Sequence, residues 1–211
     1  MESLRKLDLS LSGLMGLILH ELGNLSNLQH LNLGYNYALQ IDNLNWISRL
    51  SSLEYHDLNG NWLQVVSALP SLLELQLESC QIDNLGPPKG KTNFTHLQVL
   101  DLSKSHNNTF TCPIPSPFTN LSSLGTLNLA QIRLNGTISK SFEFLKNLQV
   151  SNLGANSLTG DMPVTFGTLS NLVTLYLSSN LLEGSIKESN FVKLLKLKEL
   201  RLSWTNLLLS E

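Results

Sequence analysis

Few residues of this 211-residue chain combine the types and spacings that catalysis requires. His20 and Glu21 are adjacent, but no second histidine completes the His-Glu-x-x-His pattern of a zinc hydrolase. The chain also lacks a Gly-x-Ser-x-Gly nucleophile elbow and a glycine-rich phosphate loop, and its acidic residues are scattered. The sequence therefore predicts a protein that is not an enzyme and that needs no cofactor.

Charge and cysteine content exclude further classes of protein. Fourteen basic and sixteen acidic residues leave a net charge of −2, which favours neither a nucleic-acid-binding surface nor a polybasic membrane patch. Cys80 and Cys112 lack metal-ligand spacing, and we expect buried thiols rather than a disulfide. No apolar run approaches the length of about 18 residues that predicts a membrane span. The first six residues lack the apolar core of a signal peptide.

Any functional side chain must be positioned by an internal repeat, Leu-x-x-Leu-x-Leu. Leucine fills 25 of the 27 template positions in nine units, far more than its abundance would give by chance. This pattern predicts one leucine-rich-repeat domain over residues 1–211, open at both ends and without capping domains. The units start at residues 4, 28, 53, 72, 97, 124, 148, 172 and 197.

The spacing of the repeat predicts its geometry. The last two leucines of each motif are two residues apart, so both point inward from a short strand. One unit cannot cover its own apolar face, and stacked units at about 4.8 Å build a continuous core. Stretches such as Phe166–Leu172 predict short helical turns on the other side. The predicted fold is an α/β solenoid, a horseshoe with a concave parallel β-sheet and convex helical or 3-10 turns.

Two positions that recur in every repeat unit lead to further predictions about the core. Three residues after the last leucine, asparagine can satisfy backbone groups of the turn, but Ile132 at that position cannot. His56 and Ser151 occupy the place of the middle core leucine. We predict that replacing either one with leucine raises thermal stability.

Outward residues beside the strand leucines are the candidate ligand-binding residues, because solenoids commonly bind across the concave surface. Tyrosine, tryptophan and arginine are frequent hot spots there. Asp57, Glu74, Glu78 and Asp101 come from three consecutive units and, together with Tyr55, predict an acidic patch with an aromatic edge. The predicted ligand-binding residues are Tyr35, Tyr55, Asp57, Glu74, Gln76, Glu78, Asp101, Tyr176, Arg201 and Trp204.

The second half of several units reads Leu-x-Gly-x-Ile or a near relative, often followed by proline. Examples are Leu134–Ile138, Leu158–Pro163 and Leu182–Ile186. Glycine permits the tight bend, and proline ends the segment. This form resembles the plant-specific class of leucine-rich repeats.

Two tryptophan-containing stretches, Asn43–Tyr55 and Trp62–Leu72, narrow the resemblance. They are similar to plant extracellular leucine-rich-repeat receptor-like proteins, in particular the group of the ethylene-inducing xylanase receptor. The resemblance implies a membrane-anchored plasma-membrane surface receptor in plant defence signalling. It also implies a microbial cell-wall-degrading enzyme or related elicitor as ligand, and a co-receptor kinase as partner of the full-length protein. Secretion would make five sequons glycosylation sites, namely Asn24, Asn93, Asn107, Asn120 and Asn135.

The predicted function is therefore a non-catalytic recognition scaffold, a fragment of an immune or developmental receptor ectodomain. It is expected to bind a protein or glycan-associated ligand, with no contact to nucleic acid or membrane. A secreted inhibitor similar to polygalacturonase-inhibiting proteins remains an alternative, although the cysteine-bearing caps of those proteins are missing. A truncated product without independent activity is another, because the bare ends should be sticky or frayed.

Overall fold

The chain folds as a leucine-rich-repeat solenoid of parallel strands, as its spacing predicts. The computed structural model describes residues 3–41, 72–82, 96–104, 114 and 121–210. Over these ranges each unit contributes a short strand to the concave face, and most contribute a second strand after a tight turn. The helical turns in these ranges are all 3-10 helices rather than α-helices.

The concave face is one parallel sheet with eight strands among the described residues. The middle residue of each strand points into the core, and neighbouring strands pair in register, so that Leu100 faces Leu127 and Leu175 faces Leu200. The two flanking residues of each strand point outward. The strands are Lys6–Asp8, His30–Asn32, Glu74–Gln76, Val99–Asp101, Thr126–Asn128, Val150–Asn152, Thr174–Tyr176 and Glu199–Arg201.

One pair of neighbours in this sheet is not expected from the regular spacing. Leu31 pairs directly with Leu75, so the unit that starts at Leu28 adjoins the unit that starts at Leu72. The thiol of Cys80 donates a hydrogen bond to the carbonyl of Leu33 at 3.2 Å, which links the same two units. The predicted unit at Leu53, including His56, lies outside the described residues.

Shorter strands follow the concave strands and form the second layer. Within this layer Gly16, Gly136, Gly160 and Gly184 have φ angles of +70° to +88°, a region that glycine enters without steric cost. The predicted Leu-x-Gly-x-Ile turns therefore exist, and Leu14–Ile18 is a further example. The strands are Met15–Leu17, Ala38–Ile41, Gln81–Ile82, Asn135–Thr137, Ser157–Asp161, Leu181–Glu183, Ser185–Ile186 and Leu208–Leu209.

Short 3-10 helices form the convex side and close the core there. The rings of Phe142 and Phe166 lie on neighbouring helices, with centroids 5.3 Å apart, and both side chains are buried. No helix in the described ranges is long and apolar enough to cross a membrane. The helices are His20–Asn24, Lys140–Phe144, Val164–Thr168 and Glu188–Asn190.

A ladder of asparagines ties neighbouring units together. Asn180 donates from Nδ2 to the carbonyls of Leu153 and Leu177 at 3.0 and 2.9 Å, and its Oδ1 accepts from the N–H of Leu158. Asn36 and Asn156 make the same set of contacts one or more units away. The predicted role of this column is confirmed at these three residues.

Two members of the repeat depart from its pattern in the core. Ile132 stands in the asparagine column and is buried, so it adds apolar packing but no hydrogen bond from its side chain. Ser151 is 0% exposed between Leu127 and Leu175, and its hydroxyl has no hydrogen-bond partner among the described residues. An unsatisfied buried hydroxyl costs about 1–3 kcal/mol.

Candidate ligand-binding face

Outward side chains of the concave sheet lie in columns, because neighbouring strands pair in register. His30 Nδ1 is 3.0 Å from Glu74 Oε2 on the next strand, in the column of the first outward residue. A second outward column includes Asp101 and Asn128. Two residues beyond the last strand leucine, the backbone takes a left-handed conformation in every described unit, which aims a row of side chains along one rim.

Tyr35, Glu78 and Lys104 form the first polar cluster on this face. Lys104 Nζ is 2.7 Å from Glu78 Oε1 and lies 5.7 Å from the centroid of the Tyr35 ring. A hydrogen bond to Glu78 is the main cause that raises the pKa of the Tyr35 hydroxyl, and it likewise raises the pKa of Lys104. Glu78 is therefore a hydrogen-bond acceptor shared by two donors.

Asp101 accepts hydrogen bonds from the turn that follows its own strand. Its Oδ1 accepts from the N–H and hydroxyl of Ser103 at 2.9 and 2.7 Å, and its Oδ2 accepts from Asn128 Nδ2 at 2.8 Å. Burial is the main cause that raises the pKa of this carboxyl group. Asp8, Asn32 and Asn152 accept from the same backbone position of their turns. Asp101 thus has a structural role that its outward position did not indicate.

The described members of the predicted acidic patch consequently form a paired polar surface. Glu74 faces His30, Glu78 faces Lys104, and Asp101 is used by its turn. Gln76 lies beside them on its strand. Tyr55 and Asp57 lie outside the described residues, and the aromatic side chain that borders the paired residues is that of Tyr35.

A second cluster lies near the other end of the sheet and consists of Tyr176, Glu199 and Arg201. The Tyr176 hydroxyl donates to Glu199 Oε2 at 2.5 Å, and Arg201 donates through Nε and Nη2 to Glu199 Oε1 at 2.9 and 2.6 Å. The guanidinium carbon is 4.5 Å from the centroid of the Tyr176 ring. These contacts lower the pKa of Glu199, with the Tyr176 hydrogen bond as the main cause.

Glu199 is not among the residues predicted to bind ligand, yet it orients two that are. Its outward position in the strand was readable from the repeat, but only the pairing of its strand with Thr174–Tyr176 shows that it contacts Tyr176. The pKa of the Tyr176 hydroxyl and that of Arg201 are both raised, mainly by hydrogen bonds to Glu199. Trp204 lies on the rim of the same unit and is 85% exposed.

Small side chains predominate between the two clusters. Between the units of Lys104 and Trp204, most positions that follow the strands carry small residues, namely Ala130, Gly154, Ala155, Ser178 and Ser179. Four strand steps span this interval, which is about 19 Å at about 4.8 Å a step. The surface is therefore a shallow path with a paired polar cluster at each end.

The predicted glycosylation sites are placed differently. Asn24 is the exposed last residue of a convex 3-10 helix, whereas Asn135 begins a second-layer strand and is half-buried. Asn93, Asn107 and Asn120 lie outside the described residues.

The described residues contain neither a metal-binding cluster nor a reactive thiol. Within the described ranges, no three histidine, cysteine, aspartate or glutamate side chains cluster as metal ligands would. Cys80 is a buried free thiol whose pKa is raised to about 12, chiefly by burial, so it is not a reactive thiolate at neutral pH.

Comparison with known proteins agrees with the repeat pattern. Residues 152–208 match the family model described as leucine-rich repeat. Over 112 residues the chain is 34% identical to receptor-like protein EIX1 of Solanum lycopersicum. That alignment covers 50% of this chain but only 11% of the tomato protein.

Solved plant ectodomains have the same fold. The leucine-rich-repeat ectodomain of the Arabidopsis thaliana receptor kinase GASSHO1/SCHENGEN3, in complex with CASPARIAN STRIP INTEGRITY FACTOR 2, aligns with a TM-score of 0.74 and 26% identity. The Arabidopsis receptor kinase HAESA, in complex with the peptide hormone IDA and the co-receptor SERK1, aligns with a TM-score of 0.63 and 25% identity. The alignments cover 96% and 90% of this chain, but 24% and 32% of those chains.

Proposed function

We propose that this leucine-rich-repeat chain, similar to plant receptor ectodomains, is a non-catalytic recognition scaffold that binds an extended protein or peptide segment on its concave face. The observation that carries the proposal is the cluster of Tyr176, Glu199 and Arg201 beside the exposed Trp204. Aromatic and arginine side chains at one spot are the usual composition of a binding hot spot.

The cluster is pre-organised for binding. Glu199 holds the Tyr176 hydroxyl and one edge of the Arg201 guanidinium, so both groups lose little further freedom when a ligand arrives. The side chain of Arg201 remains 60% exposed, and its other N–H groups are available to carbonyl or carboxylate oxygens. Trp204 offers a large apolar surface next to these donors.

The path between the two clusters favours an extended ligand. Its length of about 19 Å suits roughly six residues of extended chain, and its small side chains let a peptide backbone approach closely. The solved ectodomain of GASSHO1/SCHENGEN3 was determined in complex with CASPARIAN STRIP INTEGRITY FACTOR 2, and that of HAESA in complex with the peptide hormone IDA and the co-receptor SERK1. These likenesses support a protein or peptide ligand for this chain.

The similarity to EIX1 supports a finer version of the proposal. In this version the chain is part of a plant cell-surface receptor in defence, its ligand is a microbial cell-wall-degrading enzyme, and a co-receptor kinase acts with the whole protein. An extracellular location and glycans at Asn24 belong to the same proposal.

The test is a peptide library displayed on phage and selected against the folded chain. We expect Trp204→Ala and Arg201→Ala each to lower the affinity of the chain for the selected peptides by roughly tenfold or more, because both residues are at the proposed hot spot. Phe144→Ala and Lys140→Ala, exposed residues of the convex side, are matched controls that should leave binding unchanged. Peptides that bind all four variants equally would contradict the proposed site.

A purified fungal xylanase tests the finer version. Binding that leaves its hydrolytic rate unchanged supports a receptor, whereas inhibition of a polygalacturonase in a parallel assay supports the inhibitor alternative. Absence of xylanase binding removes the finer version and leaves the peptide test of the concave face standing.

A further inference from the structure

Two asparagines in the second outward column of the concave sheet have both ends of the amide group bonded. Asn128 Oδ1 accepts from the N–H of Ala130 at 3.3 Å, and its Nδ2 donates to Asp101 Oδ2 at 2.8 Å. Asn32 accepts from its own turn in the same way and hydrogen-bonds Asp8. In both cases the amide donates to an aspartate that lies one strand earlier.

Asn152 in the same column has only the first of these contacts. Its Oδ1 accepts from the N–H of Gly154 at 3.1 Å, which fixes the amide because only the oxygen can accept. One strand earlier lies Asn128 rather than an aspartate. The hydroxyl that Ser103 offers to Asn128 has no counterpart for Asn152, because Ala130 has the equivalent place. Asn152 Nδ2 therefore has no acceptor among the described residues.

Asn152 lies at the midpoint of the path between the two polar clusters. Its strand is two steps from the strand before Lys104 and two steps from the strand before Trp204, about 10 Å in each direction. The side chain is half-buried, and its neighbours Ala130 and Gly154 are too small to cover the amide. A ligand that follows the path therefore passes over this donor.

The surroundings of Asn152 favour a neutral oxygen of the ligand. The outward strand residues nearest to it are uncharged, so a charged ligand side chain would find no opposite charge there. These residues are Thr126, Asn128, Val150 and Thr174. A carbonyl oxygen suits an N–H group held in a fixed direction, and a peptide carries one main-chain carbonyl at every residue.

We propose that Asn152 is a specificity-determining residue of the concave face, whose Nδ2 donates to a main-chain carbonyl in the middle of the bound segment. Asn152 can do so only if a peptide segment follows the path, so this role rests on the proposed function. The ligand is then read through its backbone at the centre of the path and through its side chains near Arg201 and Trp204.

The test uses peptides selected on phage against the folded chain, synthesised singly and titrated by calorimetry. Asn152→Asp keeps an oxygen for the N–H of Gly154 and removes the donor. Asp8 and Asp101, at equivalent places, show that such a turn accepts a carboxylate. We expect this variant to lower the affinity roughly threefold to tenfold. Ser157→Asp adds the same charge at an exposed position of the same unit, outside the path, and should bind as the unaltered chain does.

A second measurement identifies the carbonyl that Asn152 contacts. Each main-chain amide of one selected peptide is replaced in turn by a thioamide, whose sulfur is a weaker acceptor than oxygen. One central thioamide should weaken binding to the unaltered chain. The same replacement should have no further effect on Asn152→Asp, because the hydrogen bond is already lost.

The outcomes separate the role of Asn152 from the proposed function. Peptides that depend on Trp204 and Arg201 but bind Asn152→Asp as tightly as the unaltered chain overturn the role of Asn152 alone. An equal loss with Ser157→Asp, or a loss that no thioamide reproduces, overturns it as well. Circular dichroism melting confirms that each variant is folded. If no selected peptide depends on Trp204 or Arg201, the proposed function fails and the role of Asn152 fails with it.

Discussion

Ser151 is the residue at which this solenoid departs most clearly from its own packing rule. Its hydroxyl is buried without a partner among the described residues, in a row where the neighbouring strands carry leucine. Leucine there would bury an added apolar side chain, worth roughly 1.5–3 kcal/mol, and would remove the unsatisfied hydroxyl. Some of that gain is lost if neighbours must shift to admit the larger group.

We predict that Ser151→Leu stabilises the chain by roughly 1–3 kcal/mol, seen as a melting temperature higher by about 2–10 °C in calorimetry. Ser170→Leu, on the exposed convex surface, is the control and should give no comparable rise. A lower melting temperature for Ser151→Leu would mean that the row has no room for leucine at this strand.

Cys80 predicts a dependence of stability on alkaline pH. Burial raises the pKa of its thiol from 9.0 to about 12, so the folded state holds this proton more tightly than the unfolded state does. The resulting stabilisation is complete below about pH 9 and is lost as the pH rises from about 9 towards 12, with a slope of up to about 1.4 kcal/mol per unit.

Urea unfolding of the chain and of Cys80→Ala, at a series of pH values above about 8, measures this slope. Tyrosines and lysines also titrate in this range in both chains. The prediction therefore concerns the difference in the free energy of unfolding between the unaltered chain and Cys80→Ala at each pH. Curves that fall in parallel would show that the Cys80 thiol ionises as easily in the folded chain as in the unfolded one.

At the scale of elements, the tight turns of the second layer need glycine, whereas Gly125, next to a concave strand, occupies a position that does not. Gly184 has a φ of +88°, and a Cβ built there would come within 2.0 Å of Asp161 Oδ1. A Cβ on Gly125 would meet nothing nearer than 3.7 Å, and its φ is not in the left-handed region. The two glycines therefore have different structural roles, although both lie next to short strands.

We predict that Gly184→Ala destabilises the chain by roughly 1–3 kcal/mol, since alanine is strained at a φ of +88° and the exposed Asp161 side chain must also move to admit the methyl group. Gly125→Ala should be neutral or stabilising by up to about 1 kcal/mol, because it reduces the freedom of the unfolded chain. Denaturant unfolding compares the two. Equal losses for both would contradict the distinction.

At the scale of the whole molecule, the periodicity of leucine was enough to predict the solenoid, its parallel concave sheet and its asparagine ladder. Each of these depends on spacing within one unit. The polar clusters were less predictable because they depend on which units are neighbours. Glu78 meets Tyr35 only because the units of Leu28 and Leu72 adjoin, and Asp101 is diverted to its turn by Ser103. Neither fact is a matter of residue type alone.

The hydrogen bond from Cys80 to Leu33 spans 47 residues of sequence, whereas the equivalent bonds of Asn156 and Asn180 span 27. Chain closure over the longer stretch costs only about 0.5 kcal/mol more in entropy, because that cost rises with the logarithm of length. The energetic difference is small against the leucine core that the contact completes. The two strands at this junction are, however, separated by more residues of sequence than any other neighbouring pair in the described sheet, and such pairings form slowly. We therefore expect the units on either side to fold first and separately, and the junction between them to form last.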